Sequence, residues 1–310
     1  MLFRSDKSFN NDQGLPTTIL NAPDDVEAMV LEMGMRGFGE ISRLCSIARP
    51  HIGVVTAVAA AHTERVGGLD GVEKAKGELV EALPASGTAI LNGDDPRVAR
   101  MASRTSAHVV TYAMTTTADV AMTSQSMDAD GAVTMSVTSP WGDATVRVPA
   151  AGVHMASNAL AALAIAGVCG VPIADAARGL ESARLSPMRM ETHVTAGGAR
   201  VVADCYNANP ASVAAALRTL AALQANRRVA VLGVMAELAD EAVEHRRIAD
   251  LAAELGIQVF GVGTDLYGAE VITIDDAVSL IDGLGEGAAA LVKGSRVARL
   301  ERVVSALRLR

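Results

Sequence analysis

Asp204-Cys-Tyr-Asn-Ala-Asn-Pro210 is the segment on which the reading of the fold turns. It lies between an apolar run, Arg200-Val-Val-Ala203, and an Ala-rich stretch that starts near Ala211. The first reads as a β-strand and the second as a helix, with Asn209 a natural N-cap and Pro210 suited to the first helical position. One acid, one phenol and two amides therefore crowd onto a strand-to-helix turn. In an open α/β sheet that is the edge where ligands bind, and the helix start offers unpaired N–H groups to an anion. Capping alone would need only Asn209, so this density of hydrogen-bonding groups points to a ligand site.

Working outward, the same strand-then-helix rhythm recurs along the chain. After Arg184-Leu-Ser-Pro187 strands are predicted at 199–203, 228–233, 259–262 and 288–292, with helices near 211–223 and 243–255. Upstream, strands are predicted at 28–33, 52–58 and 88–91, and helices at 71–83, 155–169 and 173–182. Between 108 and 148 the pattern changes to short alternating runs, including 133–137 and 144–148, which predicts an antiparallel edge or insert. The fold class is thus α/β with two domains, residues 1–186 and 187–310, whose facing edges form a cleft.

Half of the 310 residues are apolar but only 3% are aromatic, so the core is to be built from Ala, Val, Leu and Ile. A net charge of −8 argues against a nucleic-acid partner. Cys45, Cys169 and Cys205 are scattered without metal-ligand spacing, which suits a reducing cytoplasm. The first residues carry no apolar signal-peptide core, and the Ala-rich stretch from 150 to 166 reads as a buried helix rather than a membrane span.

Several residues carry chemistry. Glu32, at the end of the predicted strand 28–33 and close to Gly34, suits a hard metal ion, although such an acid alone is more often a solvated loop residue. His62 follows the strand 52–58 at the same sheet edge; a lone histidine is usually structural. Lys76 lies within the apolar stripe Val72, Leu79, Val80 and Leu83, while Lys74, Glu78 and Glu81 take the solvated face. A lysine there either snorkels to water or serves a site as a low-pKa amine, including after carbamylation to a metal-binding anion. Asn92-Gly-Asp-Asp-Pro96 is either a βα turn or a nucleotide contact. Gly152-Val-His154 with Asn158 one turn on is either a capping cluster or an adenine-side contact. Lys293-Gly-Ser295 ends the last predicted strand, where Ser295 can cap the next helix and so mark a carboxylate or phosphate site.

Taken together, the chain resembles the Mur ligase family along essentially its whole length. The resemblance runs through Phe9-Asn-Asn-Asp-Gln-Gly-Leu-Pro16, Leu31-Glu-Met-Gly34 with Gly39-Glu40, Ala61-His62, Ala75-Lys-Gly-Glu78 and Leu91-Asn-Gly-Asp-Asp-Pro96. It continues through Asn158-Ala-Leu-Ala-Ala162, the 204–210 segment and Lys293-Gly-Ser-Arg296. Tyr206-Asn-Ala-Asn-Pro210 points to the branch that adds D-alanyl-D-alanine.

The resemblance implies a P-loop-type ATPase central domain and a Rossmann-like C-terminal domain. It implies an ATP- and Mg2+-dependent amide ligase of peptidoglycan precursor synthesis, cytoplasmic and monomeric. UDP-N-acetylmuramoyl-tripeptide and D-alanyl-D-alanine would be joined through an acyl phosphate. Glu32, His62 and Lys76 as its carbamate would hold the metal, with Lys76 and His62 catalytic. Asn92, His154, Asn158, Arg189 and Asp204 would hold the nucleotide. Tyr206, Asn207, Asn209, Lys293 and Ser295 would face the dipeptide or acyl phosphate, and Asn10 and Asn11 the muramoyl peptide.

The sequence departs from the family's pattern in places. No Gly-rich loop ending in Gly-Lys-Thr or Gly-Lys-Ser occurs, so the central domain is expected to be truncated at its N-terminus, without the P-loop and the uridine-nucleotide domain. Thr56-Ala-Val-Ala-Ala-Ala61 replaces the usual Asn and Gly-Pro, Met155 stands where an Asn commonly follows the His, and Leu232-Gly-Val-Met-Ala-Glu237 lacks the usual Asp. The alternatives are a non-catalytic fragment or binding module that keeps the dipeptide side, and a related amide ligase with another acceptor.

Overall fold

The computed structural model describes residues 2–5, 9–59, 66–128, 131–183 and 186–309. The chain packs as two compact units, residues 1–121 with 164–170 and residues 122–163 with 171–310.

In the first unit β1 (Leu2–Arg4) and β2 (Ala28–Val30) pair in parallel, and α1 (Gly14–Leu20) lies between them in sequence. The Asn11 side-chain oxygen accepts from the N–H groups of Gln13 and Gly14 at 3.1 and 2.8 Å and so starts α1. β2 is shorter than predicted and stops at Val30, leaving Glu32 in the segment beyond it. There the Ser5 hydroxyl accepts the Glu32 N–H at 3.2 Å, which replaces a ladder partner.

α2 (Glu40–Ala48) begins at a left-handed Gly39 that offers no capping side chain. Its cap comes from α3 (Leu69–Glu81), where the Glu78 carboxylate accepts from the N–H groups of Gly39 and Ser42 at 2.7 and 3.0 Å. Glu78, on the face that the helical wheel predicted to be solvated, is half-buried and engaged in this cap. A negative charge at a helix N-terminus also meets the positive end of the macrodipole.

β3 (Ile52–Val55), β4 (Thr88–Asn92) and β5 (His108–Ala113) form a parallel ladder, and the start of β6 (Val120–Met127) continues it through Tyr112 opposite Val120. The antiparallel pattern predicted from residue 108 therefore begins later. β5 is reached through α4 (Pro96–Ala99) and a 3-10 turn, and a crossover of that kind leaves its strand parallel. β3 ends three residues before the predicted 58. Three side chains take the backbone groups of the next residues: Asn92 Nδ2 donates to Thr56 O at 2.8 Å and Lys76 Nζ to Ala57 O at 2.6 Å. The Val58 N–H donates to Asp95 Oδ2 at 2.7 Å.

In the second unit β7 (Ala132–Thr138) and β8 (Ala144–Ala151) form an antiparallel hairpin, followed by the start of α5 (His154–Val168) and by α6 (Ile173–Glu181). The rest is a sheet built from β9 (Glu191–Val194), β10 (Arg200–Asp204), β11 (Arg227–Leu232), β12 (Gln258–Val262), β13 (Glu270–Ile272) and β14 (Ala288–Lys293). Its strand order is β13-β12-β11-β14-β10-β9, parallel throughout except for β9 at one edge. Four helices connect these strands or follow them: α7 (Pro210–Ala222), α8 (Glu241–Glu254), α9 (Ile274–Asp282) and α10 (Glu301–Ala306).

Because side chains alternate across a strand, the sheet feeds two separate cores. Val202, Ala230, Leu232, Ala289 and Leu291 pack with Leu217 and Leu220 of α7 and Ile248 of α8. Val201, Val229, Val231, Ala290 and Val292 pack with Ile281 of α9 and Val303 of α10. Every residue of the central β14 is buried, as expected of a strand covered on both faces. Ala, Val, Leu and Ile make up most of both cores, as the composition predicted, with Met235, Phe260 and Tyr267 among the few larger exceptions. No described helix is long and apolar enough to cross a membrane.

Asn92-Gly-Asp-Asp-Pro96 is a βα turn with all three polar side chains engaged. Asp95 caps α4 through the N–H groups of Arg97 and Val98. Asp94 accepts from the N–H groups of Met114, Thr115 and Thr116 and from both threonine hydroxyls. Burial on its own would raise the Asp94 pKa, but these donors outweigh it and hold the carboxyl below its ordinary value. Its stabilising charge is present above the ordinary carboxylate pKa and is lost as pH falls through the depressed one. Asp94→Asn should cost about 1–3 kcal/mol near neutrality. The gap to wild type should close in acid, and urea unfolding at both pH values measures the two effects.

Candidate functional site

The carboxyl ends of β10 and β14 lie side by side, with Asp204 directly opposite Lys293 in the ladder. Lys293 is only 2% exposed, and its ammonium donates to Asp204 Oδ2 at 2.5 Å and to Asn207 O at 3.0 Å. Burial lowers its pKa, and the Asp204 carboxylate opposes that shift. The lysine thus braces the 204–207 turn from beneath. Ser295 braces it again: its Oγ donates to Ala208 O at 3.2 Å and accepts the Ala236 N–H at 2.9 Å. The expectation that Ser295 caps the next helix is not met. Only a three-residue 3-10 turn follows, and the hydroxyl is already engaged across two turns.

Asn209 does cap α7 as read from the sequence. It forms a full capping box with Ser212, with Pro210 in the first turn. Asn207 is exposed, and its side-chain oxygen accepts the Ala208 N–H at 2.8 Å. Tyr206 is half-buried and carries the Arg189 guanidinium 4.3 Å from its ring centroid. Arg189 is itself exposed, between Met188 and Met190, both left-handed at φ 62° and 50°. Non-glycine residues rarely adopt that conformation, and here two flank one presented cation. No residue pattern had marked this pair.

His154 opens α5 beside this turn. Burial lowers its pKa; the Asp204 carboxylate opposes this and the Lys293 ammonium reinforces it. Gly152, at φ 101°, precedes it, and a Cβ there would stand 2.3 Å from Thr219 Oγ1. Asn158 is exposed one turn on, its amide 3.7 Å from Met155 Sδ. The structure therefore gathers His154, Asp204, Tyr206, Asn207, Asn209, Lys293 and Ser295 along one edge of the second unit, with Arg189 stacked on Tyr206.

The other predicted residues among those described belong to the first unit. Lys76 is half-buried; burial lowers its pKa and the Asp95 carboxylate opposes that, while the ammonium is held by Ala57 O. Asn92 is 8% exposed, with Nδ2 on Thr56 O and Oδ1 accepting the Asp94 N–H at 3.0 Å. It fixes a loop with both ends of its amide, as the βα-turn reading expects. Asn10 donates to Glu32 Oε1 at 2.9 Å. His62 lies outside the described residues, and among the described residues no three His, Cys, Asp or Glu side chains form a group able to hold a metal ion. Sequence reasoning passed over His245 and Tyr267, two buried polar side chains that grip the turn after β11.

Removing one partner of a buried ion pair strands the other. Lys293→Met should therefore destabilise the chain by about 3–5 kcal/mol in urea unfolding. In the same variant the His154 ring, which titrates below the ordinary histidine range in wild type, should titrate at higher pH, as NMR would show.

The profile of the Mur ligase middle domain matches residues 1–166, and that of the Mur ligase glutamate ligase domain matches residues 188–304. The chain is 37% identical to a UDP-N-acetylmuramoyl-tripeptide–D-alanyl-D-alanine ligase of Mycobacterium tuberculosis. That match covers 97% of this chain and 66% of the relative, so the chain spans just under two thirds of its length. It is 32% identical to the enzyme of the same name from Escherichia coli, over 97% of this chain and 69% of that one. A solved MurF structure from Acinetobacter baumannii superimposes with a TM-score of 0.90 at 28% identity, over 98% of this chain and 70% of that one. MurF from Thermotoga maritima, solved in complex with ADP, shares the fold with a TM-score of 0.88 at 23% identity, over 98% and 72%. The chain belongs to the Mur ligase family.

Proposed function

We propose that this chain carries the central and C-terminal domains, divided near residue 186, of an ATP-dependent amide ligase. The reaction joins D-alanyl-D-alanine to UDP-N-acetylmuramoyl-tripeptide in cytoplasmic peptidoglycan precursor synthesis. The observation that carries the reading is the 37% identity along 97% of the chain to a M. tuberculosis enzyme of that name. A carboxylate is a poor electrophile, and phosphorylation by ATP supplies it with a leaving group. The dipeptide amine then attacks the acyl phosphate; the C–N bond forms, the C–O bond to phosphate breaks, and the amine loses its proton.

In this reading the residues divide by what they do. Tyr206, Asn207 and Arg189 present their groups toward ligand, whereas Lys293, Ser295 and Asn209 hold the turn in shape. His154, Asn158 and Asp204 serve the nucleotide, with Asn92 acting through the 56–58 loop, and Asn10 and Asn11 lie on the muramoyl-peptide side. Glu32, His62 and carbamylated Lys76 would hold Mg2+, which offsets phosphate charge. The donor chemistry fits: a carboxylate oxygen suits a hard cation, and burial of Lys76 favours the neutral amine that carbamylation requires. A second reading, an acceptor-binding module without turnover, draws support from departures inside the chain: Thr56-Ala-Val-Ala-Ala-Ala61, Met155 and Leu232-Gly-Val-Met-Ala-Glu237.

A chimera separates the two readings. These 310 residues should replace the matching segment of the M. tuberculosis relative and support phosphate release that depends on ATP, nucleotide tripeptide and dipeptide together. A chimera that binds dipeptide without release would favour the module. In an active chimera Lys76→Ala should abolish ligation and Lys76→Arg should not restore it. Near-normal turnover in Lys76→Ala would show that the lysine serves only the Ala57 carbonyl.

A further inference from the structure

The turn after β11, residues 233–236, borders the same edge as the 204–209 turn and is held residue by residue. The Gly233 N–H donates to Lys293 O at 2.9 Å, and Val234 O accepts the Ser295 N–H at 2.9 Å. The Ala236 N–H donates to Ser295 Oγ, which in turn donates to Ala208 O. The two remaining contacts come from deep in the core. Tyr267, 2% exposed, donates its hydroxyl to Gly233 O at 2.8 Å. The Met235 N–H donates to Nε2 of His245, 0% exposed, at 2.9 Å.

The other ring nitrogen of His245 fixes its protonation. Nδ1 lies 2.6 Å from Glu241 O, which can only accept, while the Met235 N–H can only donate. His245 is therefore neutral, with its proton on Nδ1 and a bare Nε2. Its ring meets Tyr267 edge to face at 4.8 Å. Two phenylalanines would fill this volume with no polar atom to satisfy. The Tyr267 hydroxyl and His245 Nε2 both reach one segment, the backbone of 233–235, while Nδ1 is held by Glu241 O.

We propose that His245 and Tyr267 are positioning residues for the acceptor: they hold the 233–236 turn so that, bridged through Ser295 to the 204–209 turn, it completes a rigid wall for the dipeptide. This rests on the reading of that edge as the D-alanyl-D-alanine side. The pair acts through backbone geometry, without touching the ligand. It would be invisible to any search for exposed polar residues, because both side chains lie beneath the surface they shape.

The test is a D-alanyl-D-alanine titration of the isotope-labelled 310-residue chain. The His245 ring should show the Nδ1–H tautomer, and the amides of 205–209 and 233–237 should shift together with one dissociation constant. Tyr267→Phe and His245→Phe should each weaken binding about tenfold, the effect of one lost hydrogen bond. His245→Gln, whose Oε1 can accept the Met235 N–H, should restore most of it. Wild-type affinity in Tyr267→Phe and His245→Phe would overturn the inference and leave the acceptor reading standing. If His245→Phe does not fold, Tyr267→Phe decides alone. No shift in wild type at any dipeptide concentration would overturn the acceptor reading, and this inference with it.

Discussion

An ammonium almost wholly removed from water is the constraint around which the second unit is organised. Lys293 keeps its charge only while Asp204 and the Asn207 carbonyl stand within hydrogen-bonding distance. That requirement fixes β10 against β14 in one register, since a slip would place an apolar residue opposite the lysine. It also fixes the shape of the turn, because one of the lysine's partners is a backbone carbonyl three residues beyond the strand. Tyr206 and Asn207 are then presented on a backbone that has little freedom left. A polar network of this sort gains less in net stability than its contacts suggest, but it selects one conformation.

The first unit applies the same principle to different residues. Side chains of α3 and of the turn at the end of β4 hold three consecutive residues after β3: Asn92 on Thr56, Lys76 on Ala57 and Asp95 on Val58. Asp94, from the same turn as Asn92, gathers the backbone of 114–116. Loops at a sheet's carboxyl edge have no ladder to order them, so the side chains beneath supply the missing partners. Asn92, Asn209 and Ser295 all work in this way.

Elements with strong periodicity or clear punctuation were legible in advance. The helix after Asn209-Pro210 starts where the cap and the proline place it, and β14 is apolar up to its terminal Lys293 because both its faces are covered. Short elements were less legible: β2 and β3 end before their apolar runs do, where side chains displace the ladder. The capping role of Glu78 was not legible because a helical wheel knows only its own helix, and the partner of this residue is the N-terminus of another. Met188 and Met190 show no sign in the sequence of the left-handed backbone that presents Arg189.

The sequence by itself determined the α/β class, the carboxyl-edge location of the candidate site and membership of the Mur ligase family. These follow from local pattern: alternation of strand and helix, capping chemistry, and motifs in a fixed order. Only the tertiary structure decided which polar residues face outward and which hold the others in place. Asp204 and Lys293 are 89 residues apart, as are few pairs a local pattern can read, and His245 reaches Met235 from within a helix. The physical reason is that a hydrogen bond depends on position and direction in space, whereas periodicity reports only the face on which a residue lies.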